Sequence, residues 1–134
     1  MAAFLEGIQK DLFLLGNFYA SDMSAGKQFS LTFIAEKNVD KLEQEINSIE
    51  ATLPPLKEFI LPNGNVAASQ LHVCRTVCRR LERLIVSFEI EHSENRKNTE
   101  NGMENASLAQ KYINRLSDYL FVAARLADTL KSLF

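Results

Sequence analysis

Apolar residues recur every three or four positions along four stretches of this chain, and no alternating stretch is long enough to build a sheet. Leu5, Ile8, Leu12, Leu15 and Tyr19 form the first stripe, which predicts a helix beginning almost at residue 1. No Ser, Thr, Asp or Asn stands ahead of it to accept the free N–H groups of a first turn, so residue 1 is not expected to be the natural start of the domain. Residues 21–30, with Asp, Ser, Gly and Lys among them, read as a connection. Val39, Leu42, Ile46, Ile49 and Leu53 give a second stripe with Asn38 as its expected N-cap. Pro54-Pro55 ends it, because proline offers no N–H and pushes its predecessor out of the helical region. Phe59-Ile60-Leu61-Pro62-Asn63-Gly64 follows as an apolar loop closed by a turn.

A third helix is predicted over 66–90. Leu71, Cys74, Cys78, Leu81, Ile85 and Phe88 lie within about 100° of one another on its wheel and make its expected core face. Residues 92–105 are polar and aperiodic, and are expected to form a mobile surface loop. Ser107 and Gln110, three apart, form a capping box for a last helix, whose expected buried stripe is Ala109, Ile113, Leu116, Leu120, Ala124 and Ala127. Four helices with mostly short connections predict an all-α antiparallel bundle, one domain spanning 1–134.

A chain of 134 residues buries enough surface to fold without disulfides or a structural metal. Its formal charge of −2 gives no electrostatic footprint for nucleic acid or an anionic membrane, so any anion site must be a local cluster of cations. No apolar run approaches the roughly 18 residues of a membrane span, and the opening residues lack a basic signal-peptide region, which makes the cytoplasm the expected compartment. Cys74 and Cys78, four apart in one helix, are poorly placed for a disulfide and read as buried, inert thiols. His72 points about 160° away from Cys74, so no metal site is expected there.

The polar side of the third helix carries the chemistry of interest. Arg75, Arg79, Glu82 and Arg83 project with His72 into one arc of about 100°. Guanidinium forks match polyphosphate oxygens, and Glu82 could pin the arginines or reach a sugar hydroxyl or a metal ion. A solvated face laced with i,i+3 and i,i+4 ion pairs explains the same residues. On the last helix Asn114, Asp118, Phe121 and Arg125 share one side, which could close a site against the arginine face or simply be exposed. Phe59, in a loop fenced by prolines, could plug the end of the bundle or present an aromatic surface to a flat ligand.

Four strings occur together in order: Leu53-Pro54-Pro55-Leu56; Phe59-Ile60-Leu61-Pro62; Leu71-His72 followed by Arg75-Thr76-Val77-Cys78-Arg79-Arg80-Leu81-Glu82-Arg83; and Tyr112-Ile113-Asn114-Arg115-Leu116-Ser117-Asp118-Tyr119-Leu120-Phe121. In this order and spacing the chain resembles the PduO-type ATP:corrinoid adenosyltransferases over essentially its whole length. The resemblance implies a trimer of helical bundles, five helices in each, with active sites at the subunit interfaces. There the 5'-deoxyadenosyl group of ATP, held with Mg²⁺, passes to the cobalt of reduced cobalamin, and triphosphate leaves. A reductase and an adenosylcobalamin-dependent enzyme are the implied protein partners. By the same resemblance Arg75, Arg79 and Glu82 are ATP-site residues, Asn114 and Asp118 complete that site, and Phe59 lies under the corrin ring and displaces its lower ligand. A four-coordinate cobalt is easier to reduce to the Co(I) nucleophile, so no catalytic Ser, Cys or general base is expected.

The chain also departs from the family pattern. The family's Thr- and Gly-rich phosphate loop, of the form TxxGDxGxT, and the helix carrying DELNS do not occur in it. Asn63, Leu81 and Ile113 stand where Gly, Ala and Leu are favoured. A misplaced gene start, a split or truncated protein and a degenerate paralogue each account for the missing loop. The competing class is therefore a non-catalytic corrinoid-binding or helix-pairing module.

Overall fold

The computed structural model describes residues 1–20, 34–98 and 101–130. Among them five α-helices and no strands are found: α1 (Ala2–Ala20), α2 (Glu36–Glu50), α3 (Val66–Glu91), α4 (Ser93–Lys97) and α5 (Gly102–Thr129). The connection expected at 21–30 lies outside the described residues. No helix among the described residues is long and apolar enough to cross a membrane.

The long helix α5 is the axis of the molecule, packing against α2, α3 and α4. All six residues of its expected stripe are buried, and so are Tyr112, Ser117, Tyr119, Val122 and Ala123. Several of these are small, which lets neighbouring helices approach closely. Side chains bring α1 into the same core. Phe4 meets Tyr119 with ring centroids 5.0 Å apart, and Tyr19 meets Phe88 edge-on at 5.4 Å. The Tyr112 hydroxyl donates to Asp11 Oδ2 at 2.8 Å, so a polar group in the centre of the bundle is satisfied by α1.

Four expectations need correction. The segment 92–105 is not one aperiodic loop, since it holds α4 and the first turn of α5. Gly102 and Ala106 extend the buried face of α5 backwards past the expected cap at Ser107. Residues this small carry little hydrophobic signal, which is why the extension is hard to see in a stripe of large side chains.

Asn38 is not the N-cap of α2. Ala35 holds that position, and Asn38 sits at the third helical residue, where its Oδ1 accepts the Ala35 N–H at 2.8 Å while its amide donates to Asp11 at 3.0 Å. The core face of α3 is also rotated from expectation. His72, Cys78 and Ile85 are buried, whereas Cys74 and Leu81 are exposed. Only Cys78 is therefore the inert thiol foreseen for both cysteines: it lies 3.4 Å from the Ile113 carbonyl, and burial pushes it up to about 11. Of the two roles left open for Phe59, the plug is excluded, because its side chain is fully exposed.

Candidate functional site on the seam of α3 and α5

Antiparallel packing of α3 on α5 sets their polar stripes side by side. Cys78 lies against Ile113, and Asn65, capping the start of α3, meets Ala127 at the far end of α5. The register between these two contacts puts Glu82 opposite Asn114 and Arg75 opposite Phe121.

At the first pair, Asn114 Nδ2 donates to Glu82 Oε2 at 2.8 Å. The other carboxylate oxygen, Oε1, is 3.3 Å from Arg79 Nη1. Glu82 thus ties the two helices together and restrains Arg79. Arg115 continues the network along α5, donating to Asn114 Oδ1 at 2.6 Å and pairing with Asp118 Oδ2 at 2.7 Å. One turn further along the seam, the Arg75 guanidinium sits 4.9 Å above the Phe121 ring, a cation–π contact that does not itself use the N–H fork.

His72 stands below Phe121, with ring centroids 6.5 Å apart, and is only 7% exposed. Among the described residues its buried Nδ1 has no hydrogen-bond partner. Burial first, and then the Arg75 charge, push its imidazole below the usual value against an opposing pull from Asp128, so the ring is neutral at pH 7.

Beyond His72 the seam opens into a cleft of about 790 Å³. Its walls are the residue 53–63 loop, with Phe59 and Ile60, and the last turns of α5 at Ala124, Arg125 and Asp128. A cleft this size accommodates part of a large flat molecule, and the exposed apolar side chains of the loop offer it a surface. Phe59 and His72 thus line one cleft, and His72 borders Phe121, over which Arg75 lies.

A family model for cobalamin adenosyltransferase matches residues 1–127. The chain belongs to the cobalamin adenosyltransferase family. It is 39% identical over 125 residues to the corrinoid adenosyltransferase of Citrobacter freundii, an alignment covering 93% of this chain and 64% of that protein. With the corrinoid adenosyltransferase of Mus musculus the identity is 41% over 125 residues, covering 92% and 48%. A solved variant of the PduO-type ATP:corrinoid adenosyltransferase from Lactobacillus reuteri, complexed with cobalamin and ATP, superimposes with a TM-score of 0.80 at 36% identity, covering 97% of this chain and 63% of that one. The chain thus spans about half to two thirds of the length of these relatives.

Within this chain the residues singled out from sequence are brought together in two groups. Arg75, Arg79, Glu82, Asn114 and Asp118 share the α3–α5 seam, and Phe59 stands at the cleft. Arg115 was not singled out, although it links Asn114 to Asp118; its position three residues before Asp118 was the available signal. Arg83 is exposed. No group of three or more His, Cys, Asp or Glu suited to a metal ion occurs among the described residues. The carboxylates on the seam, Glu82 and Asp118, are each already engaged by a cation or amide, so they fit a Mg²⁺ ion that arrives on the phosphates better than a resident one.

Proposed function

We propose that the full protein is an ATP:corrinoid adenosyltransferase of the cytoplasm, with this chain forming a single domain that carries both substrate surfaces. In the reaction the cobalt of cob(I)alamin attacks the 5' carbon of ATP. The Co–C5' bond forms as the C5'–O5' bond breaks, and triphosphate leaves with the bond electrons. The observation that carries this reading is the juxtaposition on one seam of an arginine and carboxamide network with an aromatic-edged cleft about 790 Å³ in volume. The arginines suit the triphosphate, whose charge rises as it departs, and the exposed Phe59 suits the corrin face.

In this reading Arg75 and Arg79 hold phosphate oxygens, and Glu82 with Asn114 keeps Arg79 aimed. Asp118 holds Arg115 on the same face. The Mg²⁺ ion that accompanies ATP would add charge stabilisation to the leaving group. The protein's own part is alignment of the 5' carbon with cobalt and exclusion of water. The substrate must arrive as Co(I) and the product must be used elsewhere, which fits a reductase upstream and an adenosylcobalamin-dependent enzyme downstream.

Arg79→Ala in the full-length protein tests the nucleotide half. Arg79 is half-exposed and its ion pair with Glu82 lies at the surface, so the fold loses little and the melting temperature stays within a degree or two of the parent. A charge-assisted phosphate contact contributes about 1.5 to 3 kcal/mol, so ATP affinity should fall by a factor of about 10 to 150. Equal affinity in titration calorimetry would return the arginine face to a solvated ion-pair network.

We further propose a homotrimer. Supporting it, α3 exposes Val73, Val77, Leu84 and Ile90, and an apolar groove of about 550 Å³ runs between α1 and α3 past Leu12, Leu81 and Leu84. Light scattering on the full-length protein should give three times the chain mass, and a monomer at tens of micromolar would refute it.

A further inference from the structure

The connection from α2 to α3 arches over the cleft without packing into it. Leu56, Phe59 and Leu61 are exposed, and the open space beneath the loop is about 790 Å³. Apolar burial therefore does little to fix the height of the loop. A connection of this length without secondary structure needs other restraints if it is to present a side chain in one place.

Two polar struts provide them, and both stand on the same turn of α5. At the near end, Arg125 Nη2 donates to the Pro54 carbonyl at 2.7 Å, across 71 positions of sequence. At the far end, Asn65 Nδ2 donates to the Ala127 carbonyl at 2.7 Å, and the Asn65 backbone N–H donates to Asp128 Oδ1 at 3.2 Å. Gly64 lies so close to Asp128 that a Cβ there would collide with the carboxylate, and its φ of 131° is open to glycine alone. The far strut belongs to the cap of α3 and is rigid by construction. The near strut is a single side chain. Pro54-Pro55 limits the freedom of the chain just behind the grasped carbonyl, so holding Pro54 restrains the residues that lead to Phe59.

We propose that Arg125 is a positioning residue which, through the Pro54 carbonyl, sets where Phe59 stands over the cleft. The catalytic consequence rests on the reading of Phe59 as the contact with the corrin ring, whereas the strut itself is independent of any ligand. An arginine suits the role because its fork reaches outward from the helix and is always charged.

The test compares the full-length parent with Arg125→Met, which keeps an apolar stem and removes the donors, and Arg125→Lys, which restores one charged donor. The first readout needs no ligand: Lys57 lies in the arch, and native-state cleavage after it by a lysine-specific protease, followed by mass spectrometry, reports loop opening. Cleavage should rise about tenfold in Arg125→Met and less in Arg125→Lys, as loss of one charge-assisted hydrogen bond implies. The second readout is electron paramagnetic resonance of bound cob(II)alamin with ATP present. Its four-coordinate fraction should fall in Arg125→Met and recover in part with Arg125→Lys, with kcat reduced and KM for ATP unchanged. Equal cleavage in parent and Arg125→Met overturns the strut whatever the spectra show. A rise in KM for ATP with an unchanged loop overturns it in favour of a direct phosphate contact. If the parent shows no four-coordinate species, the reading of Phe59 fails and the cleavage rates alone decide the strut.

Discussion

Phe59→Ala is expected to leave the melting temperature unchanged while abolishing the four-coordinate cob(II)alamin signal and cutting adenosyl transfer by at least about tenfold, the effect of about 1.4 kcal/mol in the barrier. The two halves of this expectation come from one fact. Phe59 is fully exposed, so its removal creates no cavity and withdraws no buried surface. Had it plugged the bundle, truncation would have cost about 3 to 5 kcal/mol. A large aromatic held in water by a proline-fenced loop gains burial when a flat ligand covers it, and a ligand that covers it is wedged by it in turn. Calorimetric melting of the full-length variant, with electron paramagnetic resonance and circular dichroism of cob(II)alamin plus ATP, separates the outcomes. An identical five-coordinate spectrum with Phe or Ala at residue 59 would end the wedge reading.

How much of this was legible beforehand differs between elements. The long helices were written plainly in periods of three and four, because α1, α2 and α3 each bury a stripe of side chains in the shared core. On α5 itself the stripe was correct and incomplete, since a helix surrounded by neighbours buries nearly every face and no longer shows one period. His72 was placed on the polar arc by its chemistry, yet it is buried. The rotation of α3 depends on the register with α5, fixed by contacts such as Cys78 with Ile113 and Asn65 with Ala127, and a single sequence does not contain that register.

The candidate site was legible in its parts. Arginine-rich and mixed polar stripes could be listed on their own helices, and only packing shows that Glu82 and Asn114 meet. The strut from Arg125 to Pro54 joins residues 71 positions apart and has no sequence signature at all. Aromatic exposure at residue 59 was likewise undecidable from the string itself, because plug and platform share the same composition.

The segment 92–105 is polar and aperiodic in sequence, yet it supplies a buried side chain that holds three helices together. Polar, aperiodic sequence was read as solvent-exposed, but Arg96 is only 4% exposed. Its Nε and Nη2 donate to both oxygens of Glu89 at 2.8 and 2.7 Å, and Glu89 is itself about 10% exposed. The guanidinium lies 4.4 Å over the Phe18 ring, 5.6 Å over Tyr19 and 5.7 Å over Phe88. One side chain therefore joins α1, α3 and α4. Arg96→Ala removes the partner of a buried carboxylate and the contact between three aromatic rings, and is expected to destabilise the fold by about 3 to 5 kcal/mol, lowering the melting temperature by roughly 10 to 20 °C. Most of that cost belongs to Glu89 left buried and unpaired rather than to the net worth of the pair. The double variant Arg96→Met with Glu89→Leu should consequently recover more than half of the loss, since it replaces both charges with apolar groups of similar length among aromatic rings. Denaturant unfolding of Arg96→Met, Glu89→Leu and their double variant, beside the parent, supplies the cycle. Simple additivity, with the double variant as unstable as the sum of the singles, would mean that the pair is not coupled and that α4 is held in place by its backbone contacts alone.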